Sequence, residues 1–255
     1  MQIAGLITVF NGLELLEPCI NNLRGQVDKI IIAWQKTSNL GEYSGQVEEV
    51  VNSFDDVELV YFEPNLRIGT KENEINKHNL LINKARESGC SHFVLLATDH
   101  FYRDDEFQYA KKIVIENDFD VTFTYMYTYY KHPTWRLEPI ENYHMPFICK
   151  IYPNTKAKKI NNYPVYVDPA VQITPHNKWH LFDGSIMLHH YSKVRNDIEN
   201  KYRNAAASVN WNKEKVSKFL EEYNNAKLGD SISYYGGRKL IKVGDIFNLC
   251  NYINN

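Results

Sequence analysis

An α/β fold built on a doubly wound, mainly parallel sheet follows from three features of the sequence. Short apolar runs alternate with helix-periodic stretches through the first half of the 255-residue chain. That is the pattern of strands buried on both faces and joined by right-handed crossover helices. The breaks between runs fall on Asn11-Gly12, Pro64 and Gly89, residue types that end strands and helices. Beyond residue 127 the chain turns rich in Tyr, Pro, Asn and His, with short strand-like pieces that read as an antiparallel extension before C-terminal helices.

In order, Ile3 to Phe10 is a first buried strand, and Leu13 to Leu23 carries apolar residues at helical spacing. Val27 to Trp34 is a second strand, Val47 to Phe54 a short helix, and Val57 to Phe62 a third strand. Lys71 to Ser88 is a long helix closed by Gly89. The five apolar residues Phe93 to Ala97 form the central strand, followed by a helix from Asp104 to Glu116 and a strand from Val121 to Tyr127. Further on, Phe147 to Tyr152, Val165 to Val167 and Gly184 to His190 are strand-like, while Lys193 to Ala206 and Lys213 to Ala226 are helical. The tail from Leu240 to Ile253 is too weakly patterned to place. With no repeat and no low-complexity linker, the expectation is a single domain over residues 1–255.

Composition removes several classes of function. A net charge of -2 carries no basic surplus for nucleic acid or membrane. Cys19, Cys90, Cys149 and Cys250 are scattered without a CxxC pair, which argues against a disulfide framework or a structural zinc and fits a reducing compartment. No apolar run approaches the roughly 20 residues that span a bilayer, and the expected setting is cytoplasmic. The absence of G-x-G-x-x-G and of GxxxxGK[ST] counts against dinucleotide enzymes and Walker-type NTPases.

The central strand ends on Asp99-His100. In open α/β sheets, ligands bind beyond the carboxyl ends of the strands. A carboxylate there holds a divalent cation, and the cation a diphosphate. Asp is equally a favoured helix cap, and the sequence leaves both roles open. Far downstream, His189-His190 are adjacent on a strand-like run, so at most one of them faces a given site. Imidazole joins carboxylate oxygen on Mn²⁺ or a similar ion; two satisfied histidines at a strand end are the plainer alternative. Lys193, Arg195, Lys201 and Arg203 then form a positive stripe, suited to phosphate oxygens or to solvent.

Several stretches together resemble a known family. These are Thr8-Val9-Phe10-Asn11 at the end of the first strand, Asn79 and Gly89 before the central strand, Phe93 to Tyr102 with Asp99-His100, and His189-His190-Tyr191-Ser192-Lys193-Val194-Arg195. In order and spacing they look like family 2-type glycosyltransferases of the GT-A fold, notably short bacterial and phage members, over residues 3 to about 204. The resemblance implies a nucleotide-diphosphate sugar donor and Mn²⁺ or Mg²⁺, with Asp99, His189 and His190 as metal ligands. It divides the chain into a nucleotide-sugar half (1–127), an acceptor and metal half (128–204) and a C-terminal helical extension (205–255). Donor contacts are expected from Thr8, Phe10, Asn11, Trp34, Lys71, Asn79, Thr98, Lys193 and Arg195. The family's Asp-x-Asp reads Ala97-Thr98-Asp99 here, so the first acid, a donor contact, is missing while the usual ligand remains. His100 takes the place of the trailing acid and supplements the site. The family's base-reading Asp at the end of the second strand is likewise missing; Trp34 there either stacks on a base or ribose or packs in the core.

Four carboxylates are candidates for the base that an inverting transfer needs: Asp183, Glu138, Glu141 and Asp168. Tyr127, Tyr129 and Trp135 form a candidate acceptor platform, since aromatic faces stack on sugars and bases; core packing of alternate residues is the competing account. The acceptor is a glycan or a modified nucleic-acid base. The Asn-, Lys-, Ile- and Tyr-rich composition matches AT-rich bacterial and phage genomes, and Lys150, Lys156, Lys158 and Lys159 add a small basic cluster. A catalytically degenerate nucleotide-sugar-binding protein is the main alternative and a nucleotidyltransferase the lesser one, its basic Gly-rich loop being absent. The whole reading requires Asp99 and a downstream imidazole to meet within a metal's reach, roughly 5 Å between ligand atoms.

Overall fold

The computed structural model describes residues 1–205 and 211–253. Strands β1 (Ile3–Val9), β2 (Lys29–Trp34), β3 (Glu58–Tyr61) and β4 (His92–Ala97) run parallel in the spatial order β3-β2-β1-β4. Helices α1 (Leu16–Leu23), α2 (Gln46–Val51) and α3 (Thr70–Glu87) make the three crossovers. Side chains alternate across the strands, so Ile7, Val9, Ile32 and Leu96 share one core with Ile20 and Leu23 of α1 and Val47 and Val51 of α2. Leu6, Ile31, Phe93 and Leu95 meet Leu81, Ile82 and Ala85 of α3 on the opposite face. The winding reverses between β1 and β4. The loops leaving those two strands therefore part at the carboxyl edge and open a crevice.

A turn at Thr98-Asp99 leads into the two-residue strand β5 (His100–Phe101), then α4 (Asp104–Asn117) and β6 (Val121–Tyr130). β7 (Trp135–Glu138) and β8 (His144–Lys150) follow, with β8 antiparallel to both β4 and β6. The pair β9 (Lys156–Ala157) and β10 (Ile173–Thr174) stands apart from the main sheet. β11 (Trp179–Leu181) and β12 (Met187–Lys193) lie parallel to successive parts of β6, and β12 also pairs antiparallel with β5. α5 (Ile198–Asn204), α6 (Lys213–Asn225), β13 (Ser231–Ile232) and β14 (Arg238–Lys242) complete the fold, with β14 on β7. A third core of Tyr130, Leu137, Tyr202, Phe219, Tyr223 and Leu240 holds this last part together.

Three sequence expectations need correction. The strand ending at His190 continues to Lys193, and the helix expected from Lys193 begins only at Ile198, where Asp197 accepts a bond from Asn200 N at 2.8 Å. Its expected end, Ala206, lies outside the described residues, as do residues 207–210 and 254–255 of the proposed extension. Val165 to Val167 is irregular rather than a strand, its backbone leading into the turn capped by Asp168. The unplaced tail supplies β14 and a short 3-10 turn at Leu249–Asn251. Among the described residues no helix is long and apolar enough to cross a membrane, and all four cysteines are free.

Candidate active site

The site forms where β4 ends and β12 folds back on β5. In that register His190 lies opposite His100 and His189 opposite Phe101, while Tyr191 N–H donates to the Asp99 carbonyl at 2.8 Å. The turn and the far strand thus hold each other, and the Asp99 carboxylate is buried between them at 3% exposure. Its Oδ1 lies 3.6 Å from His100 Nε2 and 3.9 Å from His190 Nε2, and the two rings meet edge to face with centroids 4.9 Å apart. Its Oδ2 accepts from Arg195 and from Lys201 Nζ, the latter at 2.7 Å. The required meeting of acid and imidazole therefore occurs.

Electrostatics follow from burial and from these partners. Desolvation pushes the Asp99 carboxyl up, but Lys201 and Arg195, with help from His190 and His100, hold it well below the usual carboxylate range. Burial drives His100 down to about 4 and His190 well below its ordinary value, so both rings are neutral at pH 7. Burial and the Arg195 charge lower Lys201 to about 8. Asp99 carries one negative charge against two cations, which leaves the cluster electropositive.

A divalent cation fits this donor set. Asp99 Oδ1 is buried without any hydrogen-bond partner, and the carboxylate and two imidazole ligand atoms lie within 4.8 Å of one another. Carboxylate oxygen with neutral imidazole nitrogen is a borderline set that suits Mn²⁺. His190 Nε2 lies 3.9 Å from Asp99 Oδ1, beyond hydrogen-bond distance. His100 Nδ1 accepts a 3.3 Å bond from Ala97 N–H, which puts the neutral ring's proton on Nε2. Ligation by His100 thus requires the other tautomer and the loss of that long bond, a cost of about 1 kcal/mol.

His189 is not part of the cluster. Strand alternation turns it to the other face of β12, where its Nδ1 bonds the Tyr129 hydroxyl at 2.8 Å and its ring packs on Phe247.

A cavity of about 240 Å³ adjoins Asp99 and is bounded by the ends of β1, β2 and β4. Thr8, Phe10, Asn11, Thr98 and Arg195 line it, together with Gln35, Asn39, Glu74 and Lys77. The last four form a network, with Gln35, Asn39 and Lys77 buried and Glu74 half-buried: Lys77 Nζ donates to Gln35 Oε1 at 2.9 Å and to Glu74 at 3.2 Å, and Asn39 also donates to Glu74. The cavity lining therefore combines the Arg195 and Lys201 cations with the Gln35–Asn39–Glu74–Lys77 network. The sequence reading missed this network. Its signal lies in α3, which buries the polar Thr70, Asn73 and Lys77 in its first half and the apolar Leu81, Ile82 and Ala85 in its second. A neighbouring cavity of about 300 Å³ shares Phe10, Asn11, Arg195 and Lys201 and adds Glu14, Glu42 and Asn200.

The remaining expected donor residues lie elsewhere. Trp34 packs edge-on against Tyr61 with ring centroids 4.8 Å apart and belongs to the first core. Asn79 makes paired bonds to the backbone of Ala157, at 2.8 and 3.0 Å, and fastens β9 to α3. Lys193 Nζ sits over the ring of Tyr202, 4.6 Å from its centroid. Lys71 pairs with Asp168 at 3.1 Å beside a third cavity.

Of the four carboxylates, Asp168 lines that third cavity, which it shares with Ala97 and His100. Glu141 accepts from Thr128 at 2.6 Å. Glu138 is paired with Arg136. Asp183 is exposed in the interruption between β11 and β12 and is absent from the lining of the cavities beside Asp99. The aromatic residues are dispersed: Tyr129 is fully buried and stacked on Tyr191 at 4.0 Å, Tyr127 lies beneath Arg136, and Trp135 packs beside the third core.

No protein-family model matches the chain, and no curated protein matches it. Among solved structures, S. aureus TarS is similar over 88% of this chain and 71% of its own, at 13% identity and a TM-score of 0.47. TarS in complex with UDP-GlcNAc gives 14% identity over 88% and 72% of the two chains, with a TM-score of 0.45. The match to TarS in complex with UDP spans about a third of that chain, 36%, and half of this one, 50%, at 13% identity and a TM-score of 0.39. Mannosyltransferase PcManGT from Pyrobaculum calidifontis, in complex with GDP-Man and Mn2+, is similar over 52% of this chain and 36% of its own, at 15% identity and a TM-score of 0.33. All these TM-scores are below 0.5, so it is the residues of the site that bear on what the chain does.

Proposed function

We propose that the chain is a metal-assisted glycosyltransferase that moves a sugar from a nucleotide-diphosphate sugar to an acceptor hydroxyl. One observation supports this above all. A buried carboxylate at the switch point of a doubly wound sheet has one bare oxygen facing two neutral imidazoles and the other oxygen on Arg195 and Lys201. Mn²⁺ or Mg²⁺ bound there supplies Lewis acidity to the departing diphosphate. Asp99 Oδ1 and His190 Nε2 hold the ion, with His100 as third ligand in its other tautomer. Arg195 and Lys201 bind phosphate oxygens, Arg195 through its planar fork. Thr8, Phe10, Asn11 and Thr98 bound the nucleoside space, together with Gln35 and Asn39. Asp168, the candidate base in a wall shared with His100, takes the acceptor proton. An activated-sugar donor and free cysteines fit a reducing, cytoplasmic setting.

The test is a panel of nucleotide sugars assayed by mass spectrometry for Mn²⁺-dependent donor hydrolysis. Asp99→Ala is expected to lose about 10²-fold or more, the scale of a lost charge-stabilising contact; undiminished hydrolysis removes Asp99 from the mechanism. A nucleic-acid acceptor predicts activity that falls steeply with salt, a neutral glycan a flat profile. A second reading, binding without turnover, is favoured by Ala97 in place of the family's first acid. Calorimetric binding of a nucleotide diphosphate with no donor hydrolysis across the panel would select it.

A further inference from the structure

A cavity of about 180 Å³ lies beside the nucleoside space, and Thr8, Glu74 and Ala97 line both. Asp99 is in the wall of the first and His100 in the wall of this one. The metal cluster thus borders both cavities. The volume is more than ten times the roughly 10–15 Å³ that holds one water. Leu95, Leu96, Ala97, Met145, Ala170 and Val171 are its apolar lining, beside the polar His78. None of the apolar residues has a side-chain hydrogen-bonding group, and the Ala170 carbonyl is already taken by His78 Nδ1 at 2.9 Å. The Lys71–Asp168 ion pair stands at the half-exposed rim, and Glu74 at the shared wall.

We infer that this cavity seats the sugar of the donor and that the sugar carries a methyl-bearing substituent, a 6-deoxy carbon or an N-acetyl group. The inference rests on the donor reading above and names its substrate class. A diphosphate held by Arg195 and Lys201 has its sugar linkage beside Ala97 and His100, which leaves the second cavity for the ring. The ring's hydroxyls find Lys71 and Glu74, with Asp168 left for the acceptor. A hydroxyl turned toward Met145 and Val171 gives up water for no partner, whereas a methyl is at home there. Discrimination by an apolar pocket of this kind is about tenfold or more.

The experiment is calorimetric titration of the full chain with Mn²⁺ present. UDP, GDP and dTDP are compared first. UDP-glucose is then set against UDP-N-acetylglucosamine, dTDP-glucose against dTDP-6-deoxy-D-glucose, and GDP-mannose against GDP-6-deoxy-D-mannose. The expected result is that one methyl-bearing sugar binds at least tenfold tighter than its hydroxyl counterpart, the pair that shows it telling N-acetyl from 6-deoxy. Val171→Asn and Met145→Gln should each erase that preference while the affinity for the nucleotide diphosphate alone stays the same. A diphosphate that binds without any preference between paired sugars overturns the inference and leaves the donor reading standing. A preference that survives both substitutions overturns the placement in this cavity. Failure of every nucleotide diphosphate to bind overturns the donor reading and this inference with it. The wild-type pairs decide the matter even where a variant does not fold.

Discussion

The two faces of β12 carry neighbouring histidines into opposite surroundings. His189 lies among Tyr127, Tyr129 and Phe247, its Nδ1 bonded to a tyrosine hydroxyl. His190 lies beside His100 and a buried carboxylate that two cations share. Burial lowers the pKa of both rings, His189 to about 3 and His190 well below its ordinary value. The contrast teaches that burial and a shifted pKa do not mark a functional histidine. What distinguishes His190 is the unpartnered Oδ1 of Asp99, 3.9 Å from its Nε2.

The largest expected effect comes from Asp99, the residue that makes the polar face polar. Replacing it leaves Arg195 and Lys201 buried without their counter-charge, a loss of about 3–5 kcal/mol. Asp99→Asn should therefore unfold at markedly lower denaturant. The same change frees both cations, so it should bind a nucleotide diphosphate more tightly than the wild type when no metal is present. A weaker metal-free affinity would show that Asp99 does not compete with the diphosphate for Arg195 and Lys201.

The histidine pair breaks the comparison directly. His189→Ala opens a hole in an aromatic core and orphans the Tyr129 hydroxyl, and should cost about 2–4 kcal/mol. Mn²⁺ should still raise its melting temperature. His190→Ala should cost less and lose the Mn²⁺ response; if His189→Ala abolishes that response and His190→Ala keeps it, the two faces have been assigned the wrong way round.

Acid should weaken both faces in one direction. His189 and His100, at about 3 and about 4, take up a proton less readily in the folded chain than at the ordinary 6.5 of the unfolded one. The unfolded state then binds more protons between pH 6.5 and those values, so stability falls as pH drops through that window, by up to about 1.4 kcal/mol per pH unit per histidine. Asp99, held low, adds a loss only below about pH 4. Denaturant midpoints at pH 7, 6 and 5 check the slope, and a flat profile contradicts it.

The smallest effect is expected at Gly12, which lies at φ +71° with its α-carbon against the Arg195 guanidinium. A Cβ there would meet Thr98 Oγ1 at 2.8 Å and Arg195 Cζ at 3.0 Å. Gly12→Ala should cost about 1–2 kcal/mol from backbone strain and weaken diphosphate affinity by displacing Arg195. Unchanged affinity would mean that Arg195 can be shifted without consequence.

Most of the parallel layer is readable in the sequence because its strands are fully apolar and its helices periodic; Phe93 to Ala97 and the α3 and α6 segments fall within a residue or two of their observed bounds. Asp99 and Arg195 are readable for the same reason, standing just beyond such runs. His189 and His190 are not separable by sequence, since the face each takes depends on the register of β12 against a two-residue strand with no pattern of its own. Lys201 reads as one of a stripe of surface cations, yet its partner is 102 residues away while Arg203 stays exposed on Glu199. Trp34 and Asn79 show the converse: residues of suggestive type whose local packing absorbs them.

The antiparallel pairing of β5 with β12 has a consequence for how the molecule comes into being. His100 and His190 are partners 90 positions apart in sequence, and the Asp99 carbonyl depends on Tyr191. Contacts so distant along the chain are the slow ones to form. During synthesis the β1–β4 layer can assemble while its acidic turn still lacks every cation that later neutralises it. The centre is completed by the last third of the polypeptide, so a chain halted before Met187 would hold Asp99 and His100 without His190, Arg195 or Lys201.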